Sequence, residues 1–212
     1  MKHKREIRAN AAARWWFLIS AGAVLLLLAG FYFDAAAHTW MVQNQNAGVR
    51  EFMEAVSRFG DWPAHVALGL ILIGIAYWRG SKRWMRIFAA MLLACALAGI
   101  ANRVVKISTG RARPNVQAET RWSGPSFDSS YHAFPSGHTA ASTAFFATLA
   151  FASWRIGLGL LAIPLLIAFS RMYVGAHHLS DVVCAALIGV VAAYVVVDWK
   201  PLQIRRGEAN GT

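Results

Sequence analysis

The sequence predicts an all-α, polytopic membrane protein, a bundle of six transmembrane helices forming one membrane-embedded domain over residues 1–212. Three observations carry this expectation. Of the 212 residues, 57% are hydrophobic and only 15% charged, whereas a soluble domain carries roughly 25% charged residues. The apolar residues come in blocks near the ~20 that span a bilayer. Several blocks begin or end on Trp or Tyr, as the interfacial belts of membrane proteins do.

The first block, Trp15–Phe33, follows a basic arm (1–14) carrying Lys2, Lys4, Arg5, Arg8 and Arg14. Such an arm also opens secretory signals, and Ala35, Ala36 and Ala37 suit a cleavage site. The apolar stretch exceeds the ~7–15 residues of a signal core, which favours an uncleaved span. An outer loop follows over 34–61, within which Val49, Phe52, Met53, Val56 and Phe59 recur at helical spacing. They predict a short amphipathic helix, lying on the membrane or packed on the bundle.

Asp61-Trp62-Pro63 reads as a helix start, because proline fits the first turn, where its missing N–H costs nothing. Trp62–Trp78 is the second span, Trp84–Val105 the third and Gly137–Ser153 the fourth. The fifth, Ile156–Phe169, is short and contains Pro164, where a kink is expected. Leu179–Val197 is the sixth, followed by a tail over 199–212. Cys95 and Cys184 fall inside apolar blocks, where free cysteine behaves as a small hydrophobe. No disulfide is expected.

The net charge of +11 invites a nucleic-acid reading, but the cations cluster between the apolar blocks. The basic arm, the turn with Arg79, Lys82, Arg83 and Arg86, Arg155, and the tail with Lys200, Arg205 and Arg206 alternate onto one side. That side holds thirteen cations against Glu6, Asp198 and Glu208, while the other holds eight cations against seven acids. The positive-inside rule then makes both termini cytoplasmic. Topology accounts for most of the charge, and no nucleic-acid partner is expected.

Three polar clusters sit at the outer edges of these spans, and ionisable residues at membrane depth are functional by default. They are Lys106-Ile-Ser-Thr-Gly-Arg-Ala-Arg113-Pro114, then Pro135-Ser136-Gly137-His138, then Ser170-Arg171 with His177 and Asp181. Phosphoryl transfer needs positioned cations and N–H donors for the charge on its equatorial oxygens. Lys106, Arg113 and Arg171 are candidate phosphate ligands, the arginines as forks and the lysine as a point charge. Ser136 and Gly137 open the fourth span, whose free N–H groups are suited to an anion, and Ser136 also suits a helix cap.

His177 and Asp181, four apart, share a helical face. A carboxylate there orients the imidazole and frees its other nitrogen to attack, which makes His177 the candidate nucleophile. His138 is the candidate general acid and base, and Asp181 has helix capping as its alternative role. His178 lies on a different face from Asp181, and His3, His38, His65 and His132 are read as structural. Arg103, Arg111 and Arg121 are read as lipid-headgroup anchors. No histidine cluster has metal spacing, so no cofactor and metal-independent activity are expected.

These three ordered motifs resemble the signature of the type 2 phosphatidic acid phosphatase family, with every signature position filled between Lys106 and Asp181. The resemblance implies the same assignment of His177, His138 and Asp181. It implies a bacterial inner-membrane phosphatase acting on a phosphomonoester or diphosphate of a lipid, facing the periplasm or exterior. Phosphatidic acid, phosphatidylglycerol phosphate, undecaprenyl diphosphate and lipid A phosphates are all candidate substrates, since the motifs recognise phosphate and not the tail. A phosphotransferase with the same intermediate, and a non-enzymatic lipid-phosphate binding or transport protein, are the alternatives. The signature is shared with soluble vanadium-dependent haloperoxidases, so vanadate is an expected inhibitor.

Overall fold

The computed structural model describes residues 2–199, with side chains from residue 13 onward. The expected tail from residue 200, and the side chains at the start of the basic arm, lie outside the described residues. Eight α-helices follow in order: α1 Lys2–Gln43, α2 Ala47–Phe59, α3 Trp62–Trp78, α4 Lys82–Thr109, α5 Gly137–Ala152, α6 Trp154–Leu160, α7 Ala162–Tyr173 and α8 Leu179–Asp198. Among the described residues the only extended pairing is a pair of isolated β-bridges at Arg111, to Trp122 and His132.

By length and apolarity four helical stretches can cross a membrane: Ala13–Gln43, Lys82–Thr109, Trp154–Tyr173 and Leu179–Asp198. The pair α2 and α3, bent by 57°, is a possible fifth. The expected count of six is not reached on this measure, because α3 has 17 residues and α5 only 16. The outward faces are those of a membrane protein. Trp15, Phe17, Leu25 and Tyr32 on α1 are mostly exposed, an arrangement water would penalise and hydrocarbon accepts.

The expected outer loop is largely helical. α1 runs ten residues past Phe33, through Ala35, Ala36 and Ala37, all good helix formers. Only residues 44–46 separate it from α2, where Asn46 caps α2 by accepting from Gly48 and Val49 N–H. α2 is the expected amphipathic helix; its Met53 and Ser57 are buried, and it packs on α7. The Asp61 carboxylate accepts from Trp62 N–H and starts α3 where the Asp-Trp-Pro sequence places it. The expected break near Pro164 occurs at Leu161. Proline lacks an N–H and clashes with the carbonyl four residues back, and that carbonyl belongs to Leu160, the last residue of α6.

α5 is the centre of the bundle, nearly all of it buried between α4 and α8. Ala140, Ala144, Phe145 and Leu149 meet Ile87, Met91, Ala94 and Ala98 on one side and Ala185, Ala192 and Val196 on the other. At Gly189 the helices approach so closely that a Cβ would lie 2.8 Å from Ala140 O and Ala144 N. Small residues permit this approach, which is how membrane helices gain packing without a hydrophobic driving force.

Candidate active site

α4 ends on Gly110, whose φ of +54° is left-handed and whose N–H returns to the Lys106 carbonyl. A Cβ there would collide with the Gly124 carbonyl, so glycine is required for the sharp turn. The turn sends Arg111 inward and lays the segment 111–136 across the mouth of the bundle.

Backbone bonds then stitch the three clusters together. Arg111 O accepts from Ala133 N–H at 2.9 Å, Ser130 O accepts from Arg113 N–H at 3.1 Å, and Asp181 O accepts from Ser136 N–H at 3.1 Å. Lys106 Nζ donates to His132 O at 2.8 Å, and Thr109 Oγ1 donates to Phe134 O at 3.3 Å. In the third cluster the Arg171 carbonyl accepts from both Ala176 and His177 N–H. Residues up to 75 positions apart in the chain, Lys106 to Asp181, are thereby brought together.

A cavity of about 360 Å³ opens at this junction, lined among others by Asp61, Asn102, Lys106, Arg113, Gly137 and His138. Arg103 joins Lys106 and Arg113 on its wall, so the basin is cationic with a single acid, Asp61, among its lining residues. Asn102 carries a buried amide oxygen with no partner; nothing in its sequence context distinguished it from the rest of its apolar span. Arg113 Nε donates to Ser129 O at 3.2 Å, which steadies the guanidinium, and burial lowers its pKa from the ordinary arginine range.

His177, Asp181, Ser136 and Arg171 are not among the cavity's lining residues. His177 and Asp181 are buried, and the His177 Nδ1 lies 2.7 Å from the Ala133 carbonyl. A carbonyl only accepts, so Nδ1 carries the proton and the lone pair resides on Nε2. The Asp181 carboxylate is 3.6 Å from Nδ1, beyond hydrogen-bond length, and acts on the ring through its charge. Burial pushes the His177 imidazole down to about 4, with Asp181 pulling the other way.

Asp181 also caps α8, accepting from His178 N–H at 2.7 Å. His178 is the cap residue of that helix, and burial lowers its pKa. Ser136 occupies the cap position of α5 without a side-chain cap bond; its hydroxyl accepts from Thr139 at 3.1 Å. Arg171 donates from Nη1 to the Ser57 hydroxyl of α2, while its Nε is buried and unpartnered.

The expectation for Arg111 is corrected. It is no headgroup anchor: its side chain is 0% exposed, with Nη1 2.5 Å from Asp181 Oδ1 and Nη2 2.6 Å from Asp34 Oδ2. Arg121, mostly exposed, approaches the same Asp34 oxygen at 3.3 Å. Spacing hides such a contact, because Asp34 belongs to a helix read from the sequence as the edge of a loop. His132 is buried and lines the cavity, and His65 packs edge-on to Phe145. Among the described residues, no group of three His, Cys, Asp or Glu side chains is placed to hold a metal.

Comparison with known proteins identifies the family. The PAP2 superfamily profile matches residues 87–205, more than half of the chain, and the chain belongs to that superfamily. It is 28% identical over 199 residues to a lipid A 1-phosphatase of Rhizobium etli, covering 83% of this chain and 81% of the relative. A lipid A 1-phosphatase of Rhizobium johnstonii is 27% identical over 195 residues, covering 83% and 77%. In fold the chain is similar to a transmembrane PAP2-type phosphatidylglycerolphosphate phosphatase from Bacillus subtilis, with a TM-score of 0.63, 20% identity, and coverage of 83% and 92%. It is also similar to LpxE of Aquifex aeolicus, with a TM-score of 0.57, 19% identity, and coverage of 79% and 96%.

Proposed function

We propose that this PAP2 superfamily member is a membrane-embedded lipid phosphate phosphatase that works through a phosphohistidine on His177. One observation carries the reading: the His177 Nδ1 proton is committed to the Ala133 carbonyl, which leaves the Nε2 lone pair free for attack, on a ring that feels the charge of Lys106 on the cavity wall.

In the proposed reaction the phosphate is held by Lys106, Arg113 and Arg171, by the Ser136 hydroxyl, which accepts from Thr139 and keeps its own proton to donate, and by the Gly137 N–H. His177 Nε2 attacks phosphorus, the bond to the lipid oxygen breaks, and His138 gives that oxygen its proton. His138 then takes a proton from water, whose oxygen attacks phosphorus; the P–N bond breaks and inorganic phosphate leaves. Asp181 balances the positive charge that the phosphorylated imidazole carries. The lining residues supply cationic stabilisation without a metal, and we propose that activity is metal-independent.

The two curated relatives are named for lipid A, so a lipid A phosphate is the substrate we place first. Phosphatidylglycerol phosphate, phosphatidic acid and undecaprenyl diphosphate follow. We further propose one membrane domain with six spans, α1, α3, α4, α5, α6 with α7, and α8. In that arrangement α3 and α5 are short crossings, α5 shielded by its neighbours and α3 with most of its surface outward. Both termini are cytoplasmic in a bacterial inner membrane and the site faces outward.

The test is phosphate release by the purified protein from these four lipids in detergent with a chelator present, beside His177→Ala. Wild-type release that the variant abolishes supports the phosphatase. Phosphate appearing on a second lipid in place of free phosphate supports transfer, and binding without turnover leaves a carrier. Activity lost in chelator and restored by a divalent ion overturns metal independence.

A further inference from the structure

We infer that Arg111 and Asp34 form a positioning pair behind the nucleophile, through which the first helix takes part in catalysis; this rests on the phosphohistidine reading. Both terminal nitrogens of Arg111 are held by the carboxylates of Asp181 and Asp34 in a fully buried side chain, so its role is not that of a phosphate ligand. It touches instead both groups that face His177 Nδ1. Its side chain donates to Asp181 Oδ1, and the other Asp181 oxygen lies 3.6 Å from that nitrogen. Its main-chain carbonyl holds the Ala133 N–H at 2.9 Å, and the Ala133 carbonyl is the hydrogen-bond acceptor of the ring. One residue therefore sets the position of the charge and of the carbonyl that orient the imidazole.

Asp34 explains how a buried arginine can hold Asp181 without cancelling it. Arg111 alone would neutralise the carboxylate that must balance a phosphorylated imidazole. Asp34 supplies a second carboxylate at 2.6 Å from the other guanidinium nitrogen, and the exposed Arg121 that reaches the same Asp34 oxygen at 3.3 Å is screened by solvent, so within the buried cluster two acids share Arg111 and negative charge is left facing the ring. Asp34 is fixed in turn by Ser180, whose N–H and hydroxyl donate to it at 2.8 and 2.7 Å. The guanidinium lies 5.5 Å from the Phe31 ring and 5.0 Å from the Trp122 ring, which confine it between α1 and the 111–136 segment. Taking three charges out of water is costly, and apolar packing would have served a purely structural purpose at less cost.

The test compares Arg111→Lys and Asp34→Asn with wild type on the best substrate of the lipid panel, with His177→Ala alongside. The folded fraction is measured by thermal unfolding in detergent and rates are expressed per folded protein. Both variants are expected to lose on the order of 10²-fold in kcat, as misplaced reacting groups do, with KM within about twofold. Unchanged kcat in folded variants overturns the pair's role, since a merely structural contact lowers yield and not turnover. A raised KM at unchanged kcat overturns it too, by assigning Arg111 to substrate binding. If Arg111→Lys does not fold, the near-isosteric Asp34→Asn decides. A wild type without phosphatase activity, or one whose activity survives His177→Ala, overturns the function and this inference together; an active wild type with dead His177→Ala and normal pair variants overturns only the inference.

Discussion

Burial sets the charge state of His177. Its imidazole is pushed from the ordinary value of 6.5 down to about 4, and the proposed nucleophile attacks only when unprotonated. Above about 4 it is neutral and competent; as pH falls through about 4 it protonates and the rate is lost. A pH profile of kcat/KM, which reports the free enzyme, is therefore expected to show its acid limb near pH 4. A limb near 6.5 would contradict a neutral buried nucleophile. Asp181 pulls the imidazole upward, so Asp181→Asn moves that limb lower still while reducing the rate. Arg113→Lys is expected to cost roughly 10² in kcat, as loss of a charge-stabilising donor does, because a lysine has no fork to replace the planar one steadied by Ser129; a steady-state comparison on one lipid reads this directly. The signature side chains were legible because phosphate chemistry demands fixed residue types at fixed spacing. The partner of Arg111 was not, since Asp34 lies 77 residues away. Nor was the acceptor for His177, a main-chain carbonyl that any residue at 133 would provide.

Short amphipathic α2 reaches one of the proposed phosphate ligands. Its Ser57 accepts from Arg171, and at Gly60, the residue that ends α2, a Cβ would press on Ile167 and approach the His138 ring. Tyr173 ties the preceding turn to α7, donating to Asn44 O and accepting from Asn46 N–H. Ser57→Ala would leave Arg171 with fewer contacts and a looser fork. The expected outcome is a rise of roughly tenfold or more in KM for lipid phosphate, since a single hydrogen bond to a charged group is worth about 1.5–3 kcal/mol and about 1.4 kcal/mol is a factor of ten. An unchanged KM would make α2 a bystander. The α5–α8 pair calls for the opposite result. A side chain at Gly189 meets backbone atoms of α5, which cannot rotate away, so Gly189→Val is expected to cost about 1–3 kcal/mol by overpacking. Thermal unfolding in detergent measures it. Helix starts with an Asp or Pro signal, and the break before Pro164, were readable in the sequence. The continuation of α1 was not, because its residues 34–43 mix charge and small residues with no apolar period, and what holds Asp34 is tertiary.

Charge distribution is the property of the whole chain that speaks to its orientation. A cationic cavity at one end of the bundle draws anionic headgroups, yet the cytoplasmic-side turns are proposed to carry most of the Lys and Arg. These two demands coexist only if the site's cations are balanced locally. On the proposed outer side acids nearly match cations, with Asp34 between Arg111 and Arg121 and Asp61 on the cavity wall. The helical class and the blocks of spans were thus legible from apolar patterning, while the number of crossings was not, because α3 and α5 are short enough for a buried helix to look the same. α4 offers the cleanest test of the arrangement. Its 28 residues rise about 42 Å, more than a bilayer core, so Lys82 and the 111–136 segment belong on opposite sides. Both Lys82 and Asp128 are exposed. With Cys95 and Cys184 replaced by alanine, Asp128→Cys is expected to react with a membrane-impermeant maleimide in intact spheroplasts, and Lys82→Cys only after lysis. The reverse pattern would turn the site to the cytoplasm. Labelling of both from outside would mean that α4 does not cross, and the bundle of six spans would fall with it.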